Sequence, residues 1–232
     1  MKVTLINYTH DAIETLLFTK STRLNMSPTL FDDICVMSCE KKMEELQYMA
    51  RTIPSSWEFV DYTFLIQDVT RAFTHQLVRN RHGSYAQQTM RILNVDGFTY
   101  ETGPSVVCGA KTLYDEQMAS IQDCYNQLIE SGVAIEDARG VLPTNIHTNI
   151  VAKFNLRTMA EIVSKRSSPR TQGEYRDVLE GMYQAIIEVH PWAEMFLKDR
   201  KVEAAAALDK FIKEKAGEDI LDVLKNVDIL RG

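Results

Sequence analysis

A chain of 232 residues with 45% apolar content and little glycine or proline can bury one large core, which excludes a solenoid, a low-complexity tract and a disordered linker. The formal charge of −6 excludes a protein whose whole surface tracks nucleic acid, because that task needs basic residues over a broad face. No window approaches about eighteen apolar residues, and the opening run Met1 to Ile6 is too short for a signal-peptide core, so no membrane partner is expected and the default location is cytoplasmic.

Lys2 to Tyr8 reads as a strand, and Asp11 to Thr19 as a helix with Ala12, Leu16 and Leu17 on one side. Ser38 to Arg51 is a stronger helix through Met43, Leu46, Met49 and Ala50, and Thr52 to Trp57 interrupts it as a Pro54-containing loop. Phe59 to Ile66, rich in β-branched and aromatic residues, is predicted as a strand. A helix is then expected from Asp68, with Val69, Ala72, Phe73 and Leu77 making an apolar face that Gln76 alone interrupts. Arg81 to Arg91 loses apolar periodicity and reads as a loop rich in hydrogen-bonding groups, hence a candidate site. Leu113 to Ser131 is an amphipathic helix ended by Gly132, and Ile135 to Val141 a short helix stopped before Pro143. Thr144 to Ile162 is expected to be mostly helical, although Asn145, Asn149 and Asn155 put amides where a simple core helix would not need them. Glu174 to Val189 is amphipathic and ended by Pro191, and Val202 to Leu230 reads as a C-terminal helical tail or an oligomer contact. All of this fits one domain over residues 1–232.

Arg79, Arg81 and Arg91 fall in one short stretch and Arg157, Lys165, Arg166 and Arg170 in another, within an otherwise acidic chain. Guanidinium forks bind phosphate oxygens in bidentate fashion, so these clusters among amides and hydroxyls suit a compact anion pocket, with surface salt bridges as the plainer alternative. Neither a Gly-x-Gly-x-x-Gly turn nor a P-loop is present. His10, His75, His82, His147 and His190 have no metal-binding spacing, and Cys35, Cys39, Cys108 and Cys124 read as free, partly buried thiols, so no metal is assigned.

The segment His75 to Arg91 resembles the signature of the flavin-dependent thymidylate synthase (ThyX) family, which runs Arg-His-Arg, then Ser, Asn-Glu, Ser and Arg; Arg79, Arg81, Ser84 and Arg91 are kept. The resemblance is co-linear from about residue 52 to residue 192: Ser55 and Glu58 upstream, then Arg139 with Leu142-Pro143-x-Asn145, Asn155-x-Arg157-Thr158, Lys165-Arg166 followed by Arg170, Gln172 and Glu174, and finally Pro191-Trp192.

That resemblance implies an α/β (α+β) protein with a central mixed sheet and flanking long helices, assembled as a homotetramer with sites at subunit junctions. It also implies FAD as cofactor, NADPH as reductant, methylene tetrahydrofolate as carbon donor and dUMP or a related pyrimidine deoxynucleotide as substrate. Residues carried over to FAD are Ser55, Arg79, Asn80, Arg81, Gln87, Asn155, Arg157 and Glu161; those carried over to the nucleotide are Gln76, Gln87, Gln88, Thr89, Met90, Arg91, Arg139 and Arg166. Arg166 would act catalytically, stabilising negative charge on the pyrimidine ring. The departures gather at the same site: Asn80 for a histidine, Ala86 for an asparagine, Gln87 for a glutamate, Thr89 for a serine, Met90 for a small residue and Glu161 for an asparagine. They leave two other readings open, a paralogue that methylates or hydroxymethylates dUMP or dCMP, and a non-catalytic flavin- or nucleotide-binding regulator.

Overall fold

The computed structural model describes residues 1–24, 30–166 and 170–198; the expected tail from about residue 200 lies outside them. Its centre is a four-stranded sheet in the order β1-β2-β4-β3, formed by β1 (Lys2–Tyr8), β2 (Asp61–Thr70), β3 (Ser84–Gln87) and β4 (His147–Asn155). Around it run α1 (Ala12–Leu24), α2 (Phe31–Cys35), α3 (Cys39–Thr52), α4 (Arg71–Leu77), α5 (Gly109–Glu130), α6 (Ile135–Ala138), α7 (Leu156–Arg166), α8 (Gly173–Val189) and α9 (Glu194–Leu197). Short 3-10 turns occupy Ser56–Phe59, Arg139–Val141 and Pro191–Ala193. Among the described residues no helix is long and apolar enough to cross a membrane.

The core follows from period-two burial in the two central strands. Tyr62, Phe64 and Ile66 of β2 and Ile150, Ala152 and Phe154 of β4 are buried on one face, where Leu16, Leu46, Met49, Met159, Met182 and Ile186 from the helices join them. Each such large side chain, fully buried, contributes on the order of 1.5–3 kcal/mol. Edge-to-face rings add to this, with Trp57 and Phe196 centroids 5.1 Å apart and Phe73 and Tyr175 centroids 5.2 Å apart.

Five expectations need correcting. The first half of the helix expected over Thr144 to Ile162 is strand β4, because Thr148, Ile150, Ala152 and Phe154 alternate inward while Asn149 takes the other face. The sheet is antiparallel at every pairing and so is not mixed. β2 and β3 do run parallel, as a helical crossover dictates, but β4 inserts between them and the parallel pair exchanges no hydrogen bonds. Asp68 does not start a helix: it sits at φ 55° in a bulge between Ile66 and Val69, with its N–H donated to Asn149 Oδ1 at 3.1 Å. Helix α4 begins at Arg71, capped by Thr70, whose Oγ1 accepts from the Phe73 N–H at 3.0 Å. The Arg81 to Arg91 loop contains β3, and the four cysteines are free but exposed.

Candidate functional site

Two strands pass straight into helices that carry candidate residues: β2 ends at Thr70 where α4 starts, and β4 ends at Asn155 where α7 starts. The antiparallel register pairs Thr70 with His147 and Asp61 with Asn155, so α4 leaves one end of the sheet and α7 the other. Residues 78–83 turn the chain back, because β3 restarts with Ser84 opposite Lys153 and runs to Gln87 opposite Ile150. This topology sorts the candidate residues. Arg79, Asn80, Arg81, Asn155, Arg157 and Glu161 lie toward the α7 end, as does Ser55, just before the turn that leads into β2. Gln88 to Arg91 lie toward the other end, where Gln88 meets Asn149. The six residue steps from Asn149 to Asn155 span roughly 20 Å at the rise of a strand. Gln87, carried over to both ligands, stands between the groups.

At the Asn149 end, arginines converge on α6. Arg91 donates from Nε and Nη2 to Glu136 Oε2 at 3.3 and 3.1 Å, and Arg139 donates from Nε to the Glu136 carbonyl at 3.0 Å. The Arg91–Glu136 pair is exposed, 66% and 51%, so solvent screens it and an incoming anion can compete for the guanidinium. Gln88 and Asn149 exchange two bonds, backbone N–H to carbonyl at 2.9 Å and Asn149 Nδ2 to Gln88 Oε1 at 3.2 Å. Gln87 Nε2 donates to Thr74 Oγ1 at 2.9 Å, and Thr89 Oγ1 accepts from the Arg91 N–H at 3.1 Å. Met90 is half-buried beside them.

Sequence reasoning missed Arg71. Its Nη1 is buried with no hydrogen-bond partner among the described residues, and burial, followed by the charge of Arg139, pulls its guanidinium below the usual arginine range. A nearby negative charge would offset both effects on this half-buried guanidinium, which makes Arg71 a candidate anion contact. The available signal was a cation in the first turn of an apolar-striped helix, where the helix dipole disfavours it.

At the α7 end, Asn80 Nδ2 donates to the Leu77 carbonyl at 2.8 Å and to Tyr175 Oη at 3.1 Å. Tyr85 Oη lies 2.6 Å from the Asn80 carbonyl, and burial pushes this phenol's pKa up. A Cβ at Gly83 would sit 2.5 Å from Tyr85 Oη and 2.6 Å from Phe154 Cε1, so this turn requires glycine. Arg79 and Arg81 are exposed on it. Arg157 Nη1 donates to Glu58 Oε1 at 2.6 Å, and its Nε lies 3.5 Å from Glu161 Oε1, while Asn155 Oδ1 accepts from the Thr158 N–H at 2.8 Å as the cap of α7. Ser55 is half-buried.

Arg166 closes α7 with its guanidinium carbon 5.1 Å from the Tyr175 ring centroid, and lines a cavity of about 260 Å³ with Val163, Arg176, Leu179, Glu180 and Tyr183. Neither Arg91 nor Arg139 lines it. The start of α8 is tied to α4 and its cap by Gln76 Nε2 donating to Gln172 Oε1 at 2.6 Å, and by Glu174, whose two oxygens accept from the Thr70 N–H and hydroxyl at 2.6 Å each. The chain therefore gathers Arg71, Arg91 and Arg139, and separately Asn80, Tyr175 and Arg166.

The sequence profile of the family described as Thymidylate synthase complementing protein matches residues 4–192. Proteins named flavin-dependent thymidylate synthase are similar in sequence. That of Sulfurisphaera tokodaii is 31% identical over 200 residues, covering 82% of this chain and 75% of its own length, and that of Clostridium tetani is 29% identical over 211 residues, covering 82% and 84%. That of Saccharolobus solfataricus is 38% identical over 132 residues, 56% of this chain, and the match spans only about half, 51%, of that relative. The crystal structure of a UMP/dUMP methylase, PolB, from Streptomyces cacaoi, bound with 5-Br dUMP, shares the fold, with a TM-score of 0.68 at 18% identity over 84% of this chain and 94% of that one. With the profile matched along most of its length and a relative of this identity aligned over three quarters of that relative, the chain belongs to the flavin-dependent thymidylate synthase family.

Proposed function

We propose that the protein transfers a one-carbon unit from methylene tetrahydrofolate to C5 of dUMP using FAD reduced by NADPH. The observation that carries this reading is the buried, unpartnered Nη1 of Arg71 beside Arg139, with Arg91 converging on the same α6 turn. A nucleotide's phosphate satisfies that group, and the neighbouring amides of Gln87 and Gln88 supply further hydrogen bonds. Glu136 would release Arg91 to the incoming phosphate. Arg139 and Thr89 belong to the same phosphate end, with Met90 packing beside it.

Exposed Arg79 and Arg81, half-buried Asn80 and Ser55, and Arg157 form a donor set that suits a flavin dinucleotide's diphosphate. Glu58 and Glu161, which now engage Arg157, would have to yield to it. Bound reduced FAD supplies the hydride. The chain's own contribution is orientation and charge: Arg166 would face the pyrimidine, favouring loss of the N3 proton and making C5 more nucleophilic. Gln76, fixed through Gln172, would hold the nucleotide on the α4 side.

Assembly as a homotetramer belongs to the same proposal. Flavin-side and phosphate-side residues of one chain lie at sheet positions roughly 20 Å apart, so the flavin end of a protomer stands clear of its own phosphate end. A second copy can lay the flavin end of one protomer over the nucleotide end of the next.

The test is incubation with FAD, NADPH, methylene tetrahydrofolate and either dUMP or dCMP, followed by mass analysis of the nucleotide. A gain of one methyl on dUMP is expected. A hydroxymethyl product, or use of dCMP, replaces the reading with the paralogue, and tight nucleotide binding without any product replaces it with the regulator.

A further inference from the structure

We infer that Tyr175 is a positioning residue that fixes Arg166 and couples it to Asn80, an inference that rests on the pyrimidine-facing role proposed for Arg166. Three contacts converge on this one side chain. Its ring packs edge-on against Phe73 of α4 with centroids 5.2 Å apart, its hydroxyl oxygen accepts from Asn80 Nδ2 at 3.1 Å, and the Arg166 guanidinium lies over its ring at 5.1 Å. At 1% exposure the ring has almost no freedom to move, so the arginine that stacks on it inherits a defined place. The arginine needs such a support, because it closes α7 and its long stem has many rotamers in solvent.

The phenol's chemistry agrees with this geometry. Burial pushes the Tyr175 pKa up, and it stays raised although the Asn80 bond and the charge and hydrogen bond of Arg166 pull it back, so the group is neutral at physiological pH. A neutral phenol accepts the Asn80 hydrogen bond and carries Arg166 over its ring without cancelling the arginine's charge. A carboxylate in the same place would fix Arg166 equally well but neutralise the charge that the pyrimidine is to meet. The arrangement also gives Asn80 a structural account: its amide reaches the Leu77 carbonyl and Tyr175 at once, joining the turn that carries Arg79 and Arg81 to the helix end that carries Arg166.

A double-mutant cycle on the FAD-loaded protein tests this, using Tyr175→Leu, Arg166→Lys and the pair, read as kcat for dUMP methylation and as Kd for dUMP from the flavin absorbance change. Tyr175→Leu is expected to lower kcat roughly tenfold, the scale of a desolvated cation–π contact, and Tyr175→Phe, which keeps the ring, to recover most of that loss. In the Arg166→Lys background Tyr175→Leu should have little further effect on either quantity. Should Tyr175→Leu fail to fold, the cycle with Tyr175→Phe reports the hydroxyl's share. Independent, multiplicative losses would overturn the inference and leave Tyr175 as packing alone, with the proposed activity intact. A wild-type protein that neither binds dUMP nor turns it over would sink the functional proposal and this inference together.

Discussion

Arg71→Met separates stability from binding by sign. Methionine keeps an unbranched stem and removes a guanidinium whose Nη1 is buried without a partner and which faces the charge of Arg139. An unsatisfied buried polar group costs about 1–3 kcal/mol. Because Arg71 is only half-buried, the lower figure applies, and its relief should raise the melting midpoint of the ligand-free protein by roughly 2–4 °C for a domain of this size. Binding should move the other way. A hydrogen bond to a charged group is worth about 1.5–3 kcal/mol, so dUMP affinity should fall by a factor on the order of 10 to 150. A ligand at about a hundred times its Kd stabilises the folded state by about 2.7 kcal/mol, so adding dUMP should reverse the order of the two midpoints. Thermal melts by circular dichroism with and without dUMP, and flavin difference titrations, provide both readings. A lower midpoint without ligand, combined with unchanged dUMP affinity, would refute the assignment of Arg71 to the anion site.

Glu174→Ala strands the Thr70 N–H and hydroxyl, so a loss of about 2–3 kcal/mol and a midpoint lower by roughly 5–10 °C are expected; Glu174→Gln, which retains one acceptor oxygen, should lose about half, and equal melts for all three proteins would contradict the clamp. His190 pairs through Nδ1 with Tyr62 Oη at 2.9 Å, and burial followed by the charge of His10 holds its pKa below the ordinary 6.5. The unfolded chain therefore takes up this proton first as pH falls, so this contribution to stability is complete above about pH 6.5 and declines below it. Urea midpoints measured from about pH 5 to pH 8 should show that decline, and His190→Asn should flatten it; a variant with an unaltered slope would remove His190 from the account. Glu136→Gln frees Arg91 from an exposed ion pair worth about 0.2–1 kcal/mol and should tighten dUMP binding by a factor of about 1.4 to 5, whereas weaker binding would mean that Glu136 orients Arg91 for the phosphate.

The amphipathic helices were legible because their apolar residues recur at helical spacing: the predicted Ser38 to Arg51 is α3, Cys39–Thr52, and the predicted Glu174 to Val189 is α8, Gly173–Val189. β4 was not, because Ile150, Val151 and Ala152 fit either period and the amides at its ends resembled helix interruptions. Asp68 looked like a helix start because Val69 continues the apolar spacing of Ala72, Phe73 and Leu77, yet its backbone belongs to a bulge, with its N–H held by Asn149 far along the chain. The arginine clusters were visible as composition, and the structure joins Arg91 with Arg139 and Arg166 with Asn80 through Tyr175. Arg71 stayed hidden because its significance is the absence of a partner, which no spacing encodes.

The direct junctions of β2 with α4 and of β4 with α7 limit how this chain can change its length. A loop between strand and helix would absorb an insertion. Here one added residue turns the following helix by about 100° about its axis and would swing Gln76, or Arg166, away from its neighbours. Insertions and deletions should therefore be tolerated in the stretch between Arg91 and α5, and selected against within either central strand, whose residue count acts as the gauge that sets the candidate side chains.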